Sequence, residues 1–168
     1  MSTQLSGEPR VVNRAEQPYV AIRGVVTMRT IPEIADRFPE IFGWLSARGI
    51  DPAGAPFLKY NVIDMERQLD IEAGVPVATT VEGSDPIRPG VLPSGRFATV
   101  THVGPFDQLI HVTRDLLDWA AERGLEWDMA QTAAGERWGC RLESYETDPN
   151  DEPDMSKWKT VLAFRLAG

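Results

Sequence analysis

One stretch of the sequence sets a carboxylate among aromatic residues: Trp138-Gly139-Cys140-Arg141-Leu142-Glu143-Ser144-Tyr145. It reads as a single strand. Alternation puts Arg141, Glu143 and Tyr145 on one face and Trp138, Cys140, Leu142 and Ser144 on the other. A carboxylate inside a strand is costly to bury unless it faces water or a partner. The chemistry this suggests is an anionic anchor in a ligand cavity, paired there with a cation. A cation over an aromatic face gains about 0.5–2 kcal/mol, depending on desolvation. Aromatic walls also accept many shapes, because their contacts are weakly directional. The competing reading of Glu143 is a solvated strand carboxylate or an ion pair with Arg141. An Arg141 that neutralised Glu143 would weaken cation binding.

The other candidates are ranked around Glu143. Tyr145 shares its face two residues away, and Tyr60 occupies the corresponding strand of the first half of the chain. Each could equally be a core tyrosine with a satisfied hydroxyl. Trp138 opens the Glu143 strand on the nominally opposite face, and Trp44 flanks a helix stripe; ordinary packing competes with a ligand role for both. Phe57, Trp119, Trp127 and Trp158 read as core or rim. His102 has a side chain suited to acid–base work, but it alternates with Ala98 and Val100 and reads as a sheet histidine. His111 reads as an exposed helix residue. Cys140 has no histidine neighbour in sequence and reads as buried and inert. The acidic turn Thr147–Asp154 fails the EF-hand spacing, and no Gly-rich phosphate loop is present. No catalytic residue is therefore assigned unless Glu143 itself is one, and neither a metal nor a cofactor is expected.

Elements that would position these residues follow from periodicity. Residues 1–17 are polar and read as a loose arm, although Val11 and Val12 could start a strand. Residues 18–27 alternate as a strand. Thr30 is a candidate N-cap, with Pro32 in the first turn. Ile31, Ile34, Ala35, Phe38, Ile41, Phe42 and Leu45 then fall at helical spacing, ending at Gly49. Pro39 inside this pattern should kink or split the helix. Residues 57–64 and 68–77 read as two strands around a tight connection. Residues 83–95 hold Gly83, Pro86, Pro89, Gly90, Pro93 and Gly95 and read as a linker. The order then repeats: a strand at 96–103, a helix opened by Pro105, a strand carrying Glu143 and a last strand at 158–166. The second helix carries Leu109, Ile110, Thr113, Leu116, Leu117 and Ala120 and stops at Gly124. The sequence thus predicts an α+β fold of two duplicated β-α-β-β modules, 18–82 and 96–168, within one domain spanning 18–168. Helices would cover one face of the joined antiparallel sheet, with a ligand cleft between the modules.

Bulk properties narrow the function classes. The 168 residues carry a net charge of −8, with 42% hydrophobic and 25% charged residues. That balance argues against direct nucleic-acid binding, which needs a basic footprint, and mildly favours cationic ligands. One cysteine rules out an internal disulfide and suits a cytoplasmic location. No apolar run has transmembrane length, and the N-terminus lacks a signal-peptide pattern.

Several pieces together resemble a known family. They are His102-Val103-Gly104-Pro105-Phe106-Asp107-Gln108-Leu109, Leu142-Glu143-Ser144-Tyr145-Glu146-Thr147-Asp148-Pro149, Leu92-Pro93-Ser94-Gly95-Arg96-Phe97-Ala98, Gly74-Val75-Pro76-Val77 and Lys157-Trp158-Lys159-Thr160. Their order from about residue 18 to the C-terminus is similar to that of the GyrI-like small-molecule-binding domain, also called the bacterial transcription activator effector-binding domain. The resemblance implies a duplicated β-α-β-β fold. It also implies a pocket for hydrophobic, often cationic, drugs, with Glu143 matching the family's strand glutamate ringed by aromatics. Some members sit behind DNA-binding domains. This sequence shows no helix-turn-helix segment and resembles the stand-alone members. Two alternatives follow from the same likeness: a hydrolase of cyclopropane-bearing alkylating antibiotics using Glu143, or an interaction module like DNA gyrase inhibitory protein.

Overall fold

The computed structural model describes residues 7–168. Its strands are β1 (Arg10–Arg14), β2 (Gln17–Val26), β3 (Phe57–Ile63), β4 (Leu69–Pro76), β5 (Arg88–Leu92), β6 (Gly95–Val103), β7 (Met129–Thr132), β8 (Gly135–Trp138), β9 (Arg141–Tyr145) and β10 (Lys159–Arg165). Its α-helices are α1 (Pro32–Ala35), α2 (Phe38–Ala47) and α3 (Leu109–Glu122). This is the α+β architecture that the repeated order implies, with helices packed on an antiparallel sheet.

The strand order is β1-β6-β10-β9-β3-β4-β2-β5, with the β7–β8 hairpin attached through β8 to β3. Only Ala15 and Glu16 separate β1 from β2, and only Pro93 and Ser94 separate β5 from β6. Yet each pair lies near opposite ends of the sheet order. Two intervening residues let the strand ends lie no more than about 11 Å apart, so the sheet must curl until its ends approach. One side-chain cluster confirms this: Val12 from one edge, Leu92 from the other, and Tyr19, Phe57, Phe97, Cys140, Leu142 and Ala163 between them. The result is a half-barrel filled on one face by its own side chains.

The helices cover the other face in two separate groups. On the first-half strands, Val20, Ile22, Ile71, Ala73 and Val75 pack with Ile34, Ile41 and Leu45 of α1 and α2. On the second-half strands, Ala98, Val100, Leu162 and Phe164 pack with Leu109, Val112 and Leu116 of α3. Central strands β9 and β3 lie between these groups. There Glu143 pairs with Leu58 on one side and Leu162 on the other. Directly opposed residues in an antiparallel pair point to the same face, so Glu143 projects to the helix-covered side, at the junction of the halves.

Local signals explain most boundaries. The first helix is split after Ala35, and Pro39 sits in the first turn of α2, as its missing donor requires. Gly49 and Gly124 hold φ of 67° and 68° just beyond α2 and α3, the left-handed stop that glycine adopts without strain. Thr30 does not cap the helix; its hydroxyl accepts from the Thr27 amide at 2.7 Å, and Ile31 takes the cap position. In α3 the stripe is Leu109, Val112, Leu116 and Ala120, while Ile110 is exposed. The helix is rotated so that Ile110, one step beyond Leu109, turns to water.

Three segments differ from the expectation. The arm over 1–17 carries β1, paired with β6, with Val12 packed inward; its residues 1–6 lie outside the described residues. The linker over 83–95 contains β5, paired with β2. Pro89 and Gly90 are tolerated because β5 is an edge strand. Finally, 138–145 is not one strand. It breaks at Gly139-Cys140 into β8 and β9.

Candidate functional site

The break before β9 creates the site. The Gly139 amide donates to the Asp128 carbonyl at 2.9 Å, and Asp128 packs so tightly on Gly139 that a Cβ there would collide with its carboxylate. Alternation is interrupted, and Trp138 swings to the helix-covered side, where it packs among the α3 cluster. This corrects the expectation that Trp138 faces away from Glu143.

Around Glu143 the chain assembles aromatic hydroxyls and rings. Tyr145 donates a short hydrogen bond to Glu143 Oε1. The Tyr60 hydroxyl, from the neighbouring strand, lies near enough to the carboxylate to bear on its charge. Tyr145 is held edge-on by Phe38 of α2, with centroids 6.1 Å apart, and by Phe106, which follows the Gly104-Pro105 turn, at 5.5 Å. Phe106 in turn stacks on Trp158 at 4.6 Å. Tyr145 therefore ties a first-half helix to the second-half turn directly beside Glu143.

Arg141 lies beneath this group. Its guanidinium sits over the rings of Phe164 at 4.4 Å, Trp138 at 4.6 Å and Tyr60 at 6.0 Å. Trp127, Trp138 and Phe164 form a mutually packed triad, with centroids 5.6–5.9 Å apart, so the floor under Arg141 is aromatic. Its Nε is buried without an acceptor. Among the described residues, no carboxylate lies within ion-pair distance of it. The expected alternative of a simple Arg141–Glu143 ion pair is therefore not what forms.

Burial sets the electrostatics. The carboxyl of Glu143 is pushed above the usual glutamate range by desolvation, opposed by the Tyr145 hydrogen bond, the charge of Arg141 and the Tyr60 hydroxyl. Tyr145 and Tyr60 are held well above the ordinary phenol range, first by desolvation and next by the nearby carboxylate. Both therefore stay protonated as donors. Desolvation pulls Arg141 below its ordinary value. Glu143 is nonetheless only half-buried by solvent contact. Glu143 therefore sits among aromatic side chains at the junction of the halves without joining either hydrophobic cluster.

The remaining candidates lie elsewhere. The Trp44 indole donates to Ser84 Oγ at 2.9 Å and lies under the Arg48 guanidinium at 3.9 Å. Those contacts turn the indole N–H toward the 81–87 loop, while the ring packs against the same first-half cluster as Tyr60 and Tyr145. His102 is fully buried, with Nε2 3.2 Å from the Pro105 carbonyl. Cys140 is buried, and its thiol is pushed up to about 11 by desolvation; it is a poor nucleophile. Among the described residues, no three His, Cys, Asp or Glu side chains are grouped to hold a metal ion. Phe38, Phe106 and Phe164 were not singled out from the sequence as site residues. The signal for Phe106 was its place after the Gly-Pro turn. Nothing local marks Phe38 or Phe164.

A cleft of about 420 Å³ opens on the opposite face of the sheet, along Arg14, Gln17, Phe57, Phe97, Leu142 and Ser144. Glu143 does not line it. Volume alone is a weaker guide than convergence of a few polar groups within aromatic walls, and that convergence occurs at Glu143.

The sequence matches the profile of the GyrI-like small-molecule-binding domain over residues 7–163. The chain belongs to the GyrI-like family. The match begins ahead of β1 and so takes in the strand that the sequence reading assigned to a loose arm. Among solved structures, the C-terminal domain of EcmrR superposes with a TM-score of 0.71 at 19% identity, covering 95% of this chain and 97% of that one. Against EcmrR in its DNA complex, the TM-score is 0.76 at 19% identity. There 96% of this chain is covered but only 57% of EcmrR, so the chain spans little more than half of that protein. SAV2435 bound to tetraphenylphosphonium gives a TM-score of 0.60 at 8% identity, with 96% and 95% of the two chains covered. A hydrolase from Listeria innocua gives 0.64 at 14%, with 95% and 92% covered. At these identities the likeness is one of fold. No protein of curated function is similar to the chain in sequence. No helix among the described residues is long and apolar enough to cross a membrane.

Proposed function

We propose that this GyrI-like domain binds hydrophobic small molecules, cations among them, in the aromatic recess at the junction of its halves. Glu143 serves as the anionic anchor, and Tyr60, Tyr145 and Trp138 serve as walls. The observation that carries this reading is a half-buried carboxylate that accepts from the Tyr145 hydroxyl, with Tyr60 beside it and Tyr145 packed on rings from both halves. A cation entering there gains ring contacts and a charge partner in a poorly hydrated setting. Similarity in fold to SAV2435, whose structure holds tetraphenylphosphonium, supports the choice of probe. The cellular use that follows is sequestration of drugs or toxic metabolites in the cytoplasm, without direct nucleic-acid contact.

Tryptophan fluorescence tests this. Titration with tetraphenylphosphonium and a panel of lipophilic dyes should quench emission saturably. Glu143→Gln should weaken cations far more than neutral analogues. Equal affinity of the two proteins for cations would remove the charge-pairing role.

A second reading is hydrolysis, supported by similarity in fold to a hydrolase from Listeria innocua and by a carboxylate placed where it could act as a general base. It predicts that a cyclopropane-bearing alkylator gains the mass of water and that Glu143→Gln abolishes the gain. Tyr60 and Tyr145 are held as donors and not as bases, so binding remains the reading with the most support.

A further inference from the structure

The anchor and the cage of this site are separated by two residues of one strand, and the cage is filled. Arg141 and Glu143 both rise from β9 to the same face. Glu143 meets the tyrosine hydroxyls. Arg141 lays its guanidinium on Phe164, Trp138 and Tyr60. Tyr60 is shared: its ring faces the guanidinium and its hydroxyl faces the carboxylate. A planar cation on three aromatic faces, beside but not bonded to a carboxylate, is what a lipophilic cationic ligand would look like in this recess. We propose that Arg141 is the site's resident cation, occupying the aromatic cage when no ligand is bound, so that a ligand cation must displace it.

This inference rests on the small-molecule reading above and adds a residue that sets ligand charge preference. Three features favour displacement over a fixed structural role. Arg141 Nε is buried with no acceptor, and an unsatisfied buried donor on a charged group is unfavourable. Among the described residues, no ion pair holds the guanidinium down; the nearby carboxylates Glu136 and Glu143 act on it only through space. The floor itself is complete without it, because Trp127, Trp138 and Phe164 pack on one another. The chemistry then has two sides. A permanent cation must compete with Arg141 for the rings. A neutral aromatic molecule bearing an oxygen acceptor keeps Arg141 in the site and, once that side chain shifts on the rings, gives its Nε the acceptor it lacks. The site should therefore rank neutral acceptors closer to cations than an anionic aromatic pocket alone would.

Two probes of matched shape separate these effects: tetraphenylphosphonium and neutral triphenylphosphine oxide, titrated calorimetrically into wild type, Arg141→Met and Glu143→Gln. Methionine keeps the apolar stem over the rings and removes the charge and the donor. Arg141→Met should tighten tetraphenylphosphonium about tenfold, the order of one cation–aromatic contact relieved of competition, and should weaken the phosphine oxide. Tetraphenylphosphonium binding that depends on Glu143 but is unchanged or weakened in Arg141→Met would overturn the resident-cation proposal and leave the binding reading standing. Absence of binding to both wild type and Arg141→Met would overturn both. A measurement on wild type needs no variant to fold. The Arg141 Nε–H proton should resonate upfield from ring currents in the free protein and move downfield as tetraphenylphosphonium saturates. A proton that stays in place at saturation would overturn the proposal.

Discussion

The two faces of the central sheet each hold a glutamate, one buried and one half-buried, and they treat it differently. On the face away from the helices, Glu72 accepts from the Tyr19 hydroxyl at 2.7 Å and the Asn61 amide at 2.8 Å, and the Lys59 ammonium lies 3.5 Å away. Lys59 also donates to Asn61. Every partner there comes from neighbouring strands, and the cation is paired. On the helix-covered face, Glu143 has two tyrosine hydroxyls, and the cation beside it, Arg141, sits on aromatic rings. A buried charge that is fully met by partners is structural. A carboxylate and a cation that share a recess without bonding leave both available to something else. The difference teaches that burial of a carboxylate does not identify a site; the state of its partners does.

The largest effect that would sharpen this contrast is on stability. Glu72→Ala strands the Lys59 charge and should cost about 3–5 kcal/mol, the range for breaking a buried pair. Glu143→Gln should cost nothing measurable at neutral pH, because the fold disfavours its charged form. Urea unfolding of both variants checks this, and a Glu143→Gln variant as damaged as Glu72→Ala would erase the distinction. The next effect is on affinity. Loss of the Glu143 charge should weaken a lipophilic cation by about 2 kcal/mol or more, as for one partner of a buried charge pair, while Glu72→Gln leaves cation affinity unchanged if it folds. Smaller still, Tyr145→Phe removes the donor to Glu143, costing about 1.5 kcal/mol when that residue is ionised, and Tyr60→Phe, which removes a hydroxyl beside it, costs less. Both should raise its carboxyl further, read by carbon-detected NMR titration.

The pH dependence carries its own sign. The folded chain holds the Glu143 proton more tightly than the unfolded chain does. The contribution of this group to stability is therefore full below the ordinary glutamate range and is lost as pH rises through the raised value. Glu143→Gln should flatten that decline. Cation affinity runs the other way: it falls as pH drops through the same raised value, because protonation discharges the anchor.

Much of this was legible in the sequence, for physical reasons that differ by element. The repeated strand–helix–strand–strand order showed because each element carries its own period and its own stop, such as Gly49 and Gly124. Tyr60, Arg141, Tyr145 and Glu143 were nameable because they follow from alternation within two strands and from the internal repeat. β1 was not legible: five residues with one inward valine gain their stability from pairing with β6, more than eighty residues away. β5 was hidden by Pro89 and Gly90, which an edge strand accepts. Trp138 was placed on the wrong face because alternation was carried through Gly139, where the chain bends around Asp128. Trp44 was named by residue type; it packs against the cluster that Tyr60 and Tyr145 also meet, with its indole N–H on Ser84. Phe38, Phe106 and Phe164 reach the recess only through tertiary packing. The aromatic bed under Arg141 thus became visible only with the fold.

The central claim, that Glu143 is a chargeable anchor for lipophilic cations, is tested most directly by one series. Tetraphenylphosphonium affinity is measured calorimetrically from acid to neutral pH on wild type and Glu143→Gln, with triphenylphosphine oxide as the neutral control. Wild-type affinity for the cation should rise with pH through a single titration lying above the ordinary glutamate range, while the variant and the neutral control stay flat. A wild-type curve that stays flat, or a variant that keeps the same rise, would contradict the account.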